Sequence, residues 1–337
     1  MPFQIQEGWT EKVLITDVTR MQGKRVCVAG LDREGNGIRP VLQYGTVMSD
    51  HLYKHGKLLI APRNVVEFCC TGKIERPPHT EDHVCDFALA RLEKALTEEQ
   101  MERFLSKSCF DSVDDIFGEK LTEGKYLKPG TGKRSIGTIR ARISSVDLSS
   151  QRIGFYDATG TFYPSRKVTD LSFHAFAEDW SRSPQKDAAQ EKLNRMLRDA
   201  NQVFLRLGLT RPWAKAKGEP ECCWLQITGV YSFPDYLDGR NFADFGEPGQ
   251  AGSRQPIKEQ PSKGPAVSEG FISEPKESFS LETIRKTYPR AYRPWSDRED
   301  SSLAEDFHSG ITIDELARRF GRQPSAIRCR LATLGLQ

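Results

Sequence analysis

The N-terminal part of the chain is a series of short apolar segments in which hydrophobic and polar residues alternate. Between residues 12 and 73 these segments are KVLITDV, RVCVAGLD, GIRPVL, KLLIAP and VVEFCC, with breaks such as REGNG. A period of two, many β-branched residues and Gly or Asn at the breaks are typical of strands joined by tight turns. The pattern predicts a five-stranded unit.

Helical spacing follows, and then strands return. LARLEKALTEEQMERFLSKS is predicted as a helix in which Thr97 precedes Gln100 by three positions, as in a capping box. Strands are predicted in SIGTIRARISSVDL, RIGFYDATG and RKVTDLSF, then a helix in KDAAQEKLNRMLRDANQVFLRLG and a last strand in CCWLQITGVYSF. We predict a mainly β part made of two tandem OB-like barrels with helical insertions, over 1–118 and 119–245. An α+β sandwich also fits this periodicity.

The remaining residues divide into two further regions. Residues 246–280 contain five Gly, five Pro and six Ser, which predicts a flexible linker over 246–283. Over 284–337 the apolar spacing predicts three short helices, with capping boxes at Ser296 and Thr312 and a glycine turn at Gly321. This region is therefore predicted to be a small all-α trihelical domain with a helix-turn-helix.

Charge is informative only where it is local. The chain has 337 residues, with Lys+Arg 49 and Asp+Glu 46, so its net charge of +3 does not identify a nucleic-acid binder. From residue 293 to 315 the balance is −5, and from 316 to 337 it is +5. Positive charge on the turn and third helix predicts nucleic-acid contacts at Arg318, Arg319, Arg322, Gln323, Ser325, Arg328 and Cys329. A solvated basic face or a protein-docking helix is the alternative, and Arg330 is predicted to pair with Glu299 or Asp300.

A second set of candidates lies in the β part. OB barrels bind single strands by stacking bases on aromatic rings beside a basic groove. By that rule we expect stacking on Tyr231, Phe233 and Tyr236, and phosphate contacts from Arg25 and Arg39. The alternative is that the aromatic residues end a core strand. A basic loop, GKYLKPGTGKRS, is also placed to approach a phosphate backbone through Lys125, Lys128, Lys133 and Arg134.

Catalytic signatures are weak. The segment CCTGKIERPPHTEDHVC lacks the CxxC spacing of structural zinc sites, so we expect no metal, no cofactor and no catalytic residue. A metal-dependent nuclease on Asp235, Asp238 and Asp244 stays open as the less favoured alternative. No signal peptide or membrane span is recognisable, which predicts a cytoplasmic protein.

Two resemblances join these observations. RPWSDREDSSL and ITIDELARRFGRQPSAIRCRLATLGL are similar to the Myb/SANT-like trihelical family, and RVCVAG, IRPV and TGVYSFPDYLD resemble a bacterial dual-OB domain family over about residues 10–245. The second resemblance implies a nucleic-acid-associated protein found near anti-phage defence or mobile-element genes, without established catalysis. We expect a non-catalytic nucleic-acid-binding protein, DNA being favoured over RNA, that is an accessory or regulatory component of such a system. The alternative is an adaptor whose C-terminal domain docks a partner protein.

Overall fold

The computed structural model describes residues 8–182, 186–245, 288–290, 295–322, 324–334 and 336. The linker predicted over 246–283 lies outside these residues.

The first unit is a closed five-stranded barrel. Its strand order is β1-β2-β3-β7-β6, in which β3 and β7 are parallel and the other neighbours antiparallel. The barrel strands are β1 (Trp9–Arg20), β2 (Val26–Leu31), β3 (Gly37–Val41), β6 (Asn64–Arg76) and β7 (His79–Ala95). A 3-10 helix (Ser49–Leu52) and a hairpin of β4 (Tyr53–Lys54) and β5 (Lys57–Leu58) connect β3 to β6. This is the five-stranded Greek-key order of an OB fold.

The second unit repeats this order with helices added. One sheet has the order β8-β10-β14-β15-β9 and another the order β11-β12-β13, and a parallel bridge between Val168 and Ile227 joins the end of β13 to β15. The strands are β8 (Cys109–Phe110), β9 (Tyr126–Leu127), β10 (Ile136–Arg140), β11 (Arg142–Asp147), β12 (Arg152–Tyr156), β13 (Phe162–Lys167), β14 (Gln202–Leu209) and β15 (Cys223–Phe233). Since β10 and β11 are separated only by Ala141, they act as one bent first strand. The prediction of a mainly β part with two OB-like units is confirmed.

Two helix boundaries were predicted wrongly. β7 continues to Ala95, which pairs with Asn64 of β6, so the LARLEKA stretch is strand and α1 (Glu98–Lys107) begins only after Thr97. The Thr97 capping box itself is present. Similarly, α4 (Lys186–Asp199) ends before the NQVFLRLG stretch, which forms β14 between β10 and β15. In both places cross-strand pairing overrides helical spacing.

Hydrophobic side chains and buried charges hold the two barrels together. Leu14 and Leu31 of the first barrel pack with α1 and with Phe204 and Phe233 of the second. At the same contact Arg206, fully buried, donates from Nε to Asp17 Oδ2 over 2.9 Å. Two more helices, α2 (Val113–Phe117) and α3 (Leu171–Ser181), pack in the second unit's core. The barrels therefore share one packed interface.

Three helices lie in the described C-terminal part. α5 (Asp297–His308), α6 (Ile313–Phe320) and α7 (Pro324–Thr333) pack around Leu303, Leu316 and Leu331. The capping boxes predicted at Ser296 and Thr312 are both formed. Arg330 donates to the Asp300 carboxylate, one of its two predicted partners. Within the described residues, α7 also lies against β1 of the first barrel.

Candidate functional site

A cleft of about 560 Å³ opens between the two barrels. Its walls come from β2 and β3 of the first barrel and from residues 208–213 of the second, and we call it the inter-barrel cleft. Ligand pockets in proteins usually measure roughly 300–1,000 Å³. In an OB fold the face formed by strands 2 and 3 is where oligonucleotides bind. The cleft therefore has both the size and the position of a binding site.

The floor of the cleft carries excess positive charge. Arg39 is almost fully buried and donates to Asp82 Oδ1 over 2.9 Å and to Ser135 Oγ over 2.7 Å. Arg211 donates to the other oxygen of Asp82 over 2.6 Å, and its side chain is 51% exposed. Two guanidinium groups thus share one carboxylate. Arg211 is the exposed one, and it is placed to reach an anion in the cleft.

His79 stays uncharged beside these arginines. Its Nε2 lies 3.3 Å from the Leu209 carbonyl oxygen, to which it can donate. Burial, together with the charges of Arg39 and Arg211, lowers the pKa of His79 to about 4. The imidazole is neutral at pH 7 and adds no charge to the cleft.

Trp213 lines the inter-barrel cleft, and two further aromatic rings lie next to it. Trp213 is 46% exposed, and its ring centroid is 6.2 Å from that of Trp224. The ring centroid of Tyr126 is 4.9 Å from that of Trp224. We call these three residues the aromatic rim. The ammonium of Lys215 lies 3.6 Å from the Trp224 ring centroid, a cation–π contact. Exposed rings beside cations are what single-stranded nucleic acids bind.

Sequence reasoning missed the aromatic rim, although a signal was present. The loop RPWAKAK, residues 211–217, places a tryptophan among three basic residues between two strands. Tyr44, at 84% exposed, sits in the loop whose Gly45 and Thr46 line the cleft, and it too was missed. Basic and aromatic residues in one loop are a stronger indication of stacking than aromatics within a strand, because loop rings are free of the core.

The predicted residues of the β part lie in different surroundings. Arg39 lines the inter-barrel cleft, whereas Arg25 is exposed and bonds to the Gln22 carbonyl oxygen over 2.9 Å without lining it. The Tyr231 hydroxyl donates to the Thr16 carbonyl oxygen over 2.7 Å at the barrel interface.

Phe233 and Tyr236 lie within the core. They are 5% and 2% exposed. Phe233 packs against Phe204, and Tyr236 contacts Phe173 and Phe176 of α3. In this conformation neither ring presents a face to solvent, so the structure does not bring the predicted stacking residues together with Arg39.

The predicted residues of α6 and the following turn divide into exposed and buried groups. Arg318 and Arg319 are exposed, and Arg319 pairs with Asp306 over 2.8 Å. Arg322 is 1% exposed, donates to Glu299 over 3.2 Å and lies 4.0 Å from the Trp295 ring centroid. Arg322 thus helps hold the three helices together.

The predicted residues of α7 face the first barrel where they are described. Arg328 is half-buried, with Arg91 and Glu67 of the barrel among the charges that act on it, and burial lowers its pKa. Gln323 lies outside the described residues, as do the side chains of Ser325 and Cys329. In this structure the α7 helix is therefore in contact with protein.

Two of the three carboxylates considered for a nuclease have structural contacts. Asp235 accepts backbone N–H groups from Leu237 and Gly239 over 3.0 Å each, and Asp244 accepts one from Asn241 over 2.9 Å. In the described part of the chain, His, Cys, Asp and Glu side chains form no group of three or more that could hold a metal ion. Within the same ranges, no helix combines the length and apolar character needed to cross a bilayer.

A protein-family model described as the dual OB-containing domain matches residues 11–230. The chain belongs to this dual OB-containing domain family. The match includes both barrels and all residues of the inter-barrel cleft, and it stops before the three C-terminal helices. No curated protein and no solved structure matches the chain.

Proposed function

We propose that this dual OB-containing protein binds single-stranded nucleic acid in the inter-barrel cleft. The observation that carries the proposal is the pair Arg39 and Arg211, which share Asp82 next to the exposed ring of Trp213. A strand offers phosphates and bases together, and a basic floor with an aromatic side complements both. Double strands keep their bases stacked inside and cannot use Trp213 in this way.

The two arginines have different roles in this proposal. Arg39 is fixed by Asp82 and Ser135 and supplies a permanent positive potential. Arg211 is half-exposed, so it can exchange part of its contact with Asp82 for a phosphate oxygen. Bases stack on Trp213 and on the adjoining Trp224. DNA is the first ligand to test, and RNA the second.

The C-terminal helices provide a second contact in this proposal. We assign them to the Myb/SANT-like helix-turn-helix class, with Arg318 and Arg319 exposed for phosphate contact. A nucleic-acid contact from Arg328 requires α7 to leave the first barrel, since α7 lies against β1. Gln323, Ser325 and Cys329 are the further contacts that we propose. Tethering two weak sites through residues 246–283 raises avidity by effective concentration.

The cellular role that we propose is an accessory or regulatory one. The protein acts without catalysis, in the cytoplasm, within an anti-phage defence or mobile-element system. A partner protein on α7 is the alternative, because this helix already contacts protein in the first barrel. A stoichiometric partner that is lost when Arg328 is changed to Glu, with nucleic-acid binding retained, would favour that alternative.

The direct test is titration of the full chain against labelled single- and double-stranded DNA and RNA at several salt concentrations. We expect single strands to bind more tightly than duplexes in the inter-barrel cleft, and W213A to weaken that binding. F162A is the matched control, because Phe162 and Trp213 are both 46% exposed but only Trp213 lines the cleft. The proposal fails if no nucleic acid binds at low salt, or if the two variants bind alike.

A further inference from the structure

A second cleft, of about 390 Å³, lies on the other side of the barrel junction. Its charged and polar lining includes Lys73, His83, Lys133, Arg134 and Arg206, and we call it the lysine cleft. Ser135 separates it from the inter-barrel cleft, because its hydroxyl accepts from Arg39 on one side and donates to Glu81 on the other. Two members of the lysine cleft come from the basic GTGKRS loop.

Two buried groups of this cleft each have one polar atom with no partner among the described residues. His83 is 3% exposed, and its Nδ1 donates to the Glu81 carbonyl oxygen over 2.9 Å while Nε2 has no hydrogen bond. Arg206 uses Nε on Asp17 and Nη1 on Thr138, whereas its Nη2 is buried without an acceptor. Buried polar groups are nearly always hydrogen-bonded, so such an atom in a cleft indicates an absent ligand or water.

The two lysines are exposed, and each is positioned by the backbone that carries it. Lys133 donates its backbone N–H to the Phe117 carbonyl oxygen over 2.7 Å, and its aliphatic stem covers Gly118, where a Cβ would lie 2.7 Å from the Lys133 Cδ. Lys73 stands opposite His83 in the β6–β7 register, so both side chains are on one face. Neither lysine forms an ion pair or a side-chain hydrogen bond with another described residue.

The acids of the lysine cleft are already engaged. Glu81 accepts the backbone N–H groups of Ser135 and Ile136 over 2.5 and 3.0 Å. Asp32 accepts those of Glu34 and Asn36 over 2.9 and 2.8 Å. Glu81 also accepts from the Ser135 hydroxyl, and Asp32 from the Asn36 side-chain amide, over 3.0 Å each. Each carboxylate is thus held by its own neighbours, which leaves the lysine ammonium groups for a ligand from solution.

We propose that the lysine cleft binds the phosphate group of a phosphate ester. Lys73 and Lys133 neutralise the phosphate, the free Nη2 of Arg206 donates to it, and His83 Nε2 shares a proton with it. Cationic donors around a buried anion form short, strong hydrogen bonds. This goes beyond the inter-barrel cleft, since the two clefts share no charged lining residue and the ligand and the test are separate. The phosphate can belong to the end of a strand or to a free nucleotide.

The first experiment titrates the full chain with inorganic phosphate and with adenosine monophosphate, measured by calorimetry. We expect saturable binding that the double variant K73Q/K133Q weakens by about tenfold or more. K57Q is the control, because Lys57 is also exposed but lies outside both clefts. R211Q is the second control, and it should leave phosphate binding unchanged while the salt dependence of single-strand binding changes.

The pKa of His83 gives a second readout, which distinguishes phosphate binding from a general effect of lost positive charge. Burial lowers its pKa, and the charged groups facing it are Lys73, Asp32, Asp82 and Glu81. A bound phosphate should raise the pKa of His83, so that binding takes up a proton and weakens as pH rises. The His83 imidazole signal in NMR should move on addition of phosphate in the native chain and in K57Q, and not in K73Q/K133Q.

Displacement experiments distinguish a phosphate at a strand end from that of a free nucleotide, and two results would reject the proposed site. If a 5′-phosphorylated oligonucleotide displaces adenosine monophosphate from R211Q and its 5′-hydroxyl counterpart does not, strand ends are the source. If neither oligonucleotide displaces it, a free nucleotide is the source. Absence of saturable phosphate binding by the native chain, or equal binding by K73Q/K133Q and K57Q, rejects the lysine cleft as a phosphate site, whatever the inter-barrel cleft binds.

Discussion

The inter-barrel cleft and the lysine cleft are built from the same junction but differ in how their charges are satisfied. In the first, Asp82 is held by two arginines, and an aromatic rim adds ring surface. In the second, neither lysine forms an ion pair with another described residue, and buried His83 and Arg206 each have one polar atom without a hydrogen bond in that part of the chain. In our two proposals, one OB junction separates base stacking from phosphate binding. Four changes test the structure of the inter-barrel cleft and its independence from the lysine cleft.

The largest effect is expected from D82A. It leaves Arg39 buried without its carboxylate, and breaking a buried pair typically costs about 3–5 kcal/mol. The free energy of unfolding, measured by urea titration, should fall by that amount. E178A is the control, because it breaks a half-exposed pair with Arg20 and should cost at most about 1 kcal/mol. Similar losses in both variants would contradict a central role for Asp82.

Lowering the pH should destabilise the native chain more than it destabilises the H79Q variant. The pKa of His79 is about 4 when folded and 6.5 when unfolded, so the unfolded chain binds more protons between these values. Stability therefore falls as pH falls through this window, by up to about 3 kcal/mol, and is retained above it. The pKa of Asp170, raised to about 7 by burial, has the opposite effect. It is common to both proteins and cancels in the difference, which urea titrations at pH 4–7 measure.

W213A should weaken single-strand binding while leaving the lysine cleft intact. Loss of one stacked base costs about 1–3 kcal/mol, which is about 5- to 150-fold in affinity. Fluorescence anisotropy with a labelled strand measures it, and phosphate calorimetry should give the native result. If W213A also abolished phosphate binding, the two clefts would not be separate.

The smallest effect is expected from R211Q in the salt dependence of single-strand binding. Removing one phosphate contact should reduce the slope of log K against log salt by about 0.7. R103Q, an exposed arginine on α1 outside both clefts, should keep the native slope. Equal slopes for both variants would show that Arg211 makes no phosphate contact.

Much of the fold could be predicted from local sequence patterns because those patterns reflect interactions between residues close together in the chain. The capping boxes at Thr97, Ser296 and Thr312 formed where the sequence places them, since each requires only four consecutive residues. The helical spacing of LARLEKA led to a wrong prediction because this segment pairs with β6. A local sequence pattern carries no information about such a partner. Strand register is a property of two segments together.

The candidate site was less predictable. Arg39 was expected to contact phosphate and does line a cleft, but Arg211 and Trp213, which give that cleft its charge and ring surface, lie more than 170 residues away along the chain. Phe233 and Tyr236 were expected to stack on bases, yet they fill the space against α1 and α3. An aromatic residue in a strand serves the core or a ligand depending on what covers it.

By itself the sequence determined two tandem β units, a region rich in Gly, Pro and Ser, and a C-terminal region with helical spacing and separated charge. These features follow from the spacing of hydrophobic residues, from turn residues and from helix caps, all of which act over a few residues. Only the tertiary structure decided that Asp82 holds two arginines and that His83 and Arg206, which line a second cleft, each have a polar atom with no partner among the described residues. Those contacts depend on distances between segments that are remote in sequence. Burial then sets how strongly each charged group interacts with its neighbours.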